Sequence, residues 1–120
     1  EAIEILKKCR EEGLGHVVDN RQVVGHVICN CCDDCCLNWA IMKGPKKWVA
    51  PSRFEAVVDT DLCSGCEACL DRCFFDALSM KDDLAAVDPE KCLGCGVCTV
   101  VCPTEALKLK ETRSADFVPV

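Results

Sequence analysis

Two stretches of this 120-residue chain carry the same cysteine spacing, C-x2-C-x2-C-x3-C, 29 positions apart. Cys63, Cys66, Cys69 and Cys73 map onto Cys92, Cys95, Cys98 and Cys102. The same shift carries Val58, Asp59, Gly65, Ala77 and Leu78 onto Val87, Asp88, Gly94, Ala106 and Leu107. A repeat this regular predicts a pseudo-two-fold structure. Each unit reads as a short apolar strand (56–58, 85–87), an acidic turn and the cysteine loop. A short helix starting near the fourth cysteine and a second strand (78–80, 107–109) complete it. Lys81-Asp82-Asp83 is a polar turn between the units.

Aromatic residues make up 5% of the chain and tyrosine is absent, whereas cysteine occurs 14 times. With so few large apolar side chains, a small domain needs staples. Disulfides, zinc and iron–sulfur clusters all use cysteine. A disulfide scaffold has no need of the same 2-2-3 gaps twice, and zinc ribbons separate two C-x2-C pairs by longer spacers. Three thiolates at two-residue gaps let one tight loop wrap three corners of a cubane, with backbone N–H groups turned toward its sulfurs. Gly65, Gly94 and Gly96 relieve the steric cost of such turns. The fourth cysteine lies beyond the loop and points elsewhere.

Over about residues 54–110 the chain resembles the bacterial two-[4Fe–4S] ferredoxin family, with C92-L-G-C-G-V-C-T-V-V-C-P as the full motif. The resemblance implies crossed ligation. Cys63, Cys66, Cys69 and Cys102 would hold cluster I, and Cys92, Cys95, Cys98 and Cys73 cluster II. The first motif departs from the pattern at Phe74, where the second has Pro103. Phenylalanine there restores an N–H and adds an apolar shield. Ligation is expected to survive, with a changed potential at one cluster.

In the first half, Ala2, Ile5, Leu6 and Cys9 share one helical face, and Gly13 fits a C-terminal cap. Cys9 reads as a free, buried thiol, with metal ligation the lesser alternative. Val17-Val18 and Val23-Val24 flank Asp19-Asn20-Arg21-Gln22, the pattern of a hairpin. Residues 29–36 then read C-N-C-C-D-D-C-C. Here Cys29, Cys32 and Cys35 repeat the C-x2-C-x2-C gaps without the C-x3-C that follows in the other loops. They are candidate ligands of a third metal site, with Cys31, Cys36, His16 and His26 as candidate additional ligands. A third iron–sulfur cluster and a structural Zn2+ are equal alternatives, with a redox-active thiol/disulfide site behind them. Asp33 and Asp34 read as solvated turn residues, since negative charge disfavours a reactive thiolate. The segment loosely resembles cysteine-rich stretches that precede ferredoxin domains in larger iron–sulfur proteins of anaerobes. In the connector after it, Lys43, Lys46, Lys47 and Arg53 are a candidate docking patch, though a solvated loop packed by Trp48 is the simpler reading.

These observations predict an α+β fold. Residues 54–113 would form a ferredoxin-like dicluster domain of two strand–loop–helix–strand units. Residues 1–53 would form a cysteine-rich, metal-binding helix-plus-hairpin module, and 114–120 a tail. The expected function is electron transfer through two low-potential [4Fe–4S] clusters, as a module more than a stand-alone enzyme. The alternatives are a redox-enzyme subunit with its catalytic centre at residues 29–36, and a zinc-stabilised interaction domain. Net charge is −6, which argues against nucleic acid and suits docking to a basic patch. Expected partners are redox proteins or other domains of a longer chain. Glu1 opens the sequence without a methionine, which fits a boundary inside such a chain. No apolar run reaches membrane-span length. The expected location is cytoplasmic, where thiols stay reduced.

Overall fold

The computed structural model describes residues 1–18, 27–34, 36–43 and 50–117. His26, Cys35, the 19–22 turn, Val23-Val24, Lys46, Lys47 and Trp48 lie outside them. Helix α1 (Ala2–Glu11) opens the chain, followed by strands β1 (Gly15–Val18) and β2 (Ile28–Cys31) and helix α2 (Leu37–Lys43). Strands β3 (Phe54–Val58), β4 (Leu78–Lys81) and β5 (Leu84–Val87), helix α3 (Val97–Val100) and strand β6 (Leu107–Glu111) follow. Among the described residues the strands form three antiparallel pairs, β1–β2, β3–β6 and β4–β5. The architecture is α+β.

Helix α1 ends where the sequence predicts. Gly13, at φ +81°, donates its N–H to Arg10 O, and the Leu14 N–H reaches back to Cys9 O at 3.0 Å. These two bonds form a Schellman cap, which the left-handed glycine permits. Only Leu6 and Cys9 of the apolar face are half-buried; Ala2 and Ile5 are exposed.

Val17 pairs with Cys29 and Val18 with Ile28, so β1 pairs with β2. The expected hairpin to Val23-Val24 lies outside the described residues. Register in such a ribbon is decided by what each of its faces can bury. Here Gly15 lies against the Trp39 ring, where any Cβ would collide.

In the second half the register obeys the 29-residue shift. Val58 pairs with Leu107 and Ala56 with Leu109; the shifted pairs are Leu78 with Val87 and Met80 with Ala85. Backbone torsions repeat too. Gly65 and Gly94 are both at φ +68°, and Asp76 and Glu105 are at +52° and +53°. Asp82 and Asp83, both at positive φ, close the two-residue β4–β5 turn in the primed geometry that strand twist favours.

Helix α3 corrects another expectation. It ends before the fourth cysteine, and the equivalent residues of the first unit form successive turns with no helix. The Leu70, Arg72 and Cys73 N–H groups bond three residues back, to Glu67, Cys69 and Leu70, so tight turns replace the i→i−4 ladder.

The core of this half is made of small residues. Ala56, Ala77, Ala85, Ala106, Cys69 and Cys98 are buried, joined by Val97 and Leu107. Trp39 of α2, only 2% exposed, packs edge-on to Phe74 with centroids 4.9 Å apart, and also against Phe75 at 5.2 Å. Phe74, the departure noted in the sequence, is thus the seat on which the N-terminal segment docks.

Candidate iron–sulfur centre

Two cavities of nearly equal size, about 330 and 340 Å³ including space open to solvent, lie among these alanines. Cys63, Cys66, Cys69 and Cys102 line the first. Cys73, Cys92, Cys95 and Cys98 line the second. Each cavity takes three thiols from one loop and the fourth from the other repeat. Proximity is also felt electrostatically: Cys69 interacts with Cys66, Cys102 and Cys63, and Cys98 with Cys95, Cys73 and Cys92.

The loops hold this shape because the backbone passes close to its neighbours. A Cβ at Gly65 would strike the Asp83 carbonyl, and one at Gly94 the Phe54 carbonyl and the Ser52 hydroxyl. The Ser52 hydroxyl donates to Gly94 O at 2.8 Å and its N–H to Leu93 O at 2.9 Å, pinning the second loop.

Backbone donors point at the sulfurs. The Ala77 N–H donates to Cys73 Sγ at 3.3 Å and the Ala85 N–H to Cys63 Sγ at 3.5 Å. Burial acts against the Cys102 thiolate, but N–H groups of Leu107, Ala106 and Thr104, with the Thr104 hydroxyl, outweigh it and hold the thiol below its usual range. Burial pushes Cys69 and Cys95 up, and Cys98 up to about 12. Such buried, apolar-walled thiols are costly to ionise unless a cation neutralises them, the role of the iron in a thiolate-bound cluster. The donor set therefore fits an iron–sulfur cluster in each cavity.

The N-terminal cysteines are arranged differently. Cys29 and Cys31 lie on strand β2, where alternation puts them on one face. Cys32 follows directly after the strand. His16 pairs across the ribbon with Asn30, on the opposite face, and its Nδ1 lies 2.5 Å from Asn30 Oδ1. A side-chain hydrogen bond with Cys36, then burial and the neighbouring Cys36, Cys29 and Cys32 charges, push the Cys31 thiol up. Cys32 is exposed, and Lys43 Nζ binds Asp33 Oδ2 at 2.8 Å, holding that carboxylate below its usual range. Cys9 is a half-buried free thiol. Among the described residues, no three Cys, His, Asp or Glu side chains gather as the ligands of a single metal ion. The contact between Cys31 and Cys36 carries no spacing signal and was not legible in the sequence.

A cysteine-lined pair of cavities with N–H donors aimed at sulfur suits the iron–sulfur clusters that ferredoxin-type families bind. Residues 56–109 match the model of one such family, the 4Fe-4S dicluster domain. No curated protein gives a significant match to the chain. No helix among the described residues is long and apolar enough to cross a membrane.

Proposed function

We propose that residues 54–113 hold two [4Fe–4S] clusters in a ferredoxin-like pseudo-two-fold and transfer single electrons between redox partners. The observation that carries this is the exchange of fourth cysteines between the two cavities. Cys63, Cys66, Cys69 and Cys102 would hold cluster I; Cys92, Cys95, Cys98 and Cys73 would hold cluster II. The repeated register and torsions support the two-fold. Bound clusters supply one-electron storage at a potential set by cluster type, charge, hydrogen bonds and solvent exposure.

The chain's own residues do the rest. Backbone N–H groups stabilise negative charge on the cysteine sulfurs, and buried alanines let the loops close tightly. Cys66 is exposed while its counterpart Cys95 is half-buried, so the first loop is the docking face for a redox partner. Glu67, exposed beside it, favours a partner with basic residues.

Iron and sulfide analysis of anaerobically prepared protein tests the reading. Two cubanes predict about eight irons per chain, and fewer than about six would overturn the assignment. The same analysis reads residues 29–36: a third cubane raises the count to about twelve, and a structural zinc adds one zinc to about eight irons.

A further inference from the structure

We propose that Arg72 raises the reduction potential of the second-loop centre and biases a single electron toward it, an inference that rests on the dicluster reading. The two cavities differ in charge. Cysteines apart, Arg72 alone is charged among the described residues that line the second cavity, and Glu67 alone among those that line the first. Neither charge belongs to the repeat. The 29-residue shift puts Val101 at the position of Arg72 and Gly96 at that of Glu67. Reduction adds an electron, so a cation beside a centre stabilises its reduced form and a carboxylate opposes it. Arg72 is half-buried, whereas Glu67 and the neighbouring Asp71 are exposed. Water and salt therefore screen the Arg72 charge less than the other two.

The N-terminal segment holds the cation in place. The guanidinium packs on Gly13, where a Cβ would overlap Nη1. Gly13 follows the C-terminus of α1, the end of a helix that carries partial negative charge and attracts cations. Among the described residues the guanidinium has no ion-pair partner, so no carboxylate cancels its charge. Phe75, which also lines the second cavity, packs against Trp39. Two contacts from the first 43 residues thus fix the wall of this cavity, Gly13 on Arg72 and Trp39 on Phe75. An electron that enters at the exposed first loop is drawn by Arg72 to the more buried second one.

Anaerobic, cluster-loaded full-length protein is titrated with dithionite and followed by EPR, with iron measured on each sample. Arg72→Gln is expected to lower one midpoint by about 59 mV, a tenfold change in the oxidised-to-reduced ratio for one electron, with iron unchanged. Arg72→Lys keeps the charge and should restore most of that difference. Cys102→Ser protein, left with the second-loop centre alone, should show the same fall on Arg72→Gln. Cys73→Ser protein, left with the first-loop centre alone, should show none. An equal fall with Arg72→Lys, or a fall in the Cys73→Ser background, would overturn the proposal. About eight irons with unmoved midpoints in Arg72→Gln would overturn the role of Arg72 alone. Fewer than about six irons in the wild type would sink the dicluster reading, and this inference with it.

Discussion

The two cysteine loops share a backbone and differ in what surrounds it. In the first, Ser64, Cys66, Glu67 and Ala68 are exposed; in the second, Leu93 and Cys95 are half-buried and Gly96 and Val97 are buried. After the fourth cysteine, Pro103 and Thr104 occupy the positions of Phe74 and Phe75. Thr104 Oγ1 lies 3.7 Å from Cys102 Sγ, whereas Phe75 lines the cavity that contains Cys73. The repeat therefore sets where thiols point, while the residues between them set water access and hydrogen bonding, two quantities that tune a potential.

The strongest way to break this comparison is at its shared cysteines. Cys102→Ser should remove the first-loop centre and Cys73→Ser the second-loop centre, each lowering iron from about eight to about four per chain. Iron analysis with EPR of each reduced variant reads this out. If Cys73→Ser abolishes the signal of the first-loop centre instead, the crossing is wrong.

Next comes the aromatic seat found on one side only. Trp39→Ala should cost about 3–5 kcal/mol of stability, from lost burial and the cavity left behind. Anaerobic urea unfolding measures it. Phe74→Pro makes the first motif match the second and is expected to unseat Trp39 without loss of iron.

The two glycines test whether the loops are equally constrained. Gly65→Ala and Gly94→Ala each place a Cβ at positive φ against a backbone carbonyl. Each should destabilise by more than about 1 kcal/mol, seen as a lower urea midpoint. A tolerated Gly65→Ala beside a damaging Gly94→Ala would show the exposed loop to be the softer one.

Smaller in effect is the hydroxyl that only the first centre has. Thr104→Val removes a hydrogen bond to Cys102 and should lower that centre's potential by about 20–60 mV, the one-electron equivalent of about 0.5–1.5 kcal/mol. Phe75→Thr should move the other centre upward. EPR-monitored redox titration checks both signs.

The smallest change is expected outside the repeat. The Lys43–Asp33 pair is about 40% exposed on each side, so solvent screening limits Lys43→Ala to a loss below about 1 kcal/mol. Lys43 depresses the Asp33 pKa in the folded state. Its contribution is therefore present above the unfolded carboxylate pKa and is lost as pH falls through the folded value. Wild-type and Lys43→Ala stabilities should converge at low pH.

The repeat region was legible because its information is local and periodic. Cysteine gaps, the glycines that permit left-handed turns and short apolar strands all announce themselves at a fixed offset. The Gly13 cap was legible for the same reason. The pairing of β1 with 28–31 was not, because it is set by what each face of the ribbon buries and carries no local pattern. Cys29-x2-Cys32 has the gap of a cluster loop but lies on and just beyond a strand, where alternation spreads neighbouring thiols between faces. Phe74 could be seen as an exception to its motif but not explained, since its partner Trp39 is 35 positions away.

By itself the sequence determined the chemistry, with eight thiols at spacings that suit iron–sulfur clusters and glycines where their loops must turn. Tertiary structure decided which thiols meet. Cys102 reaches the first loop's cavity and Cys73 the second's. Spacing governs contacts within a turn or two of backbone, whereas contacts between distant segments depend on strand register and on what fills the space between them.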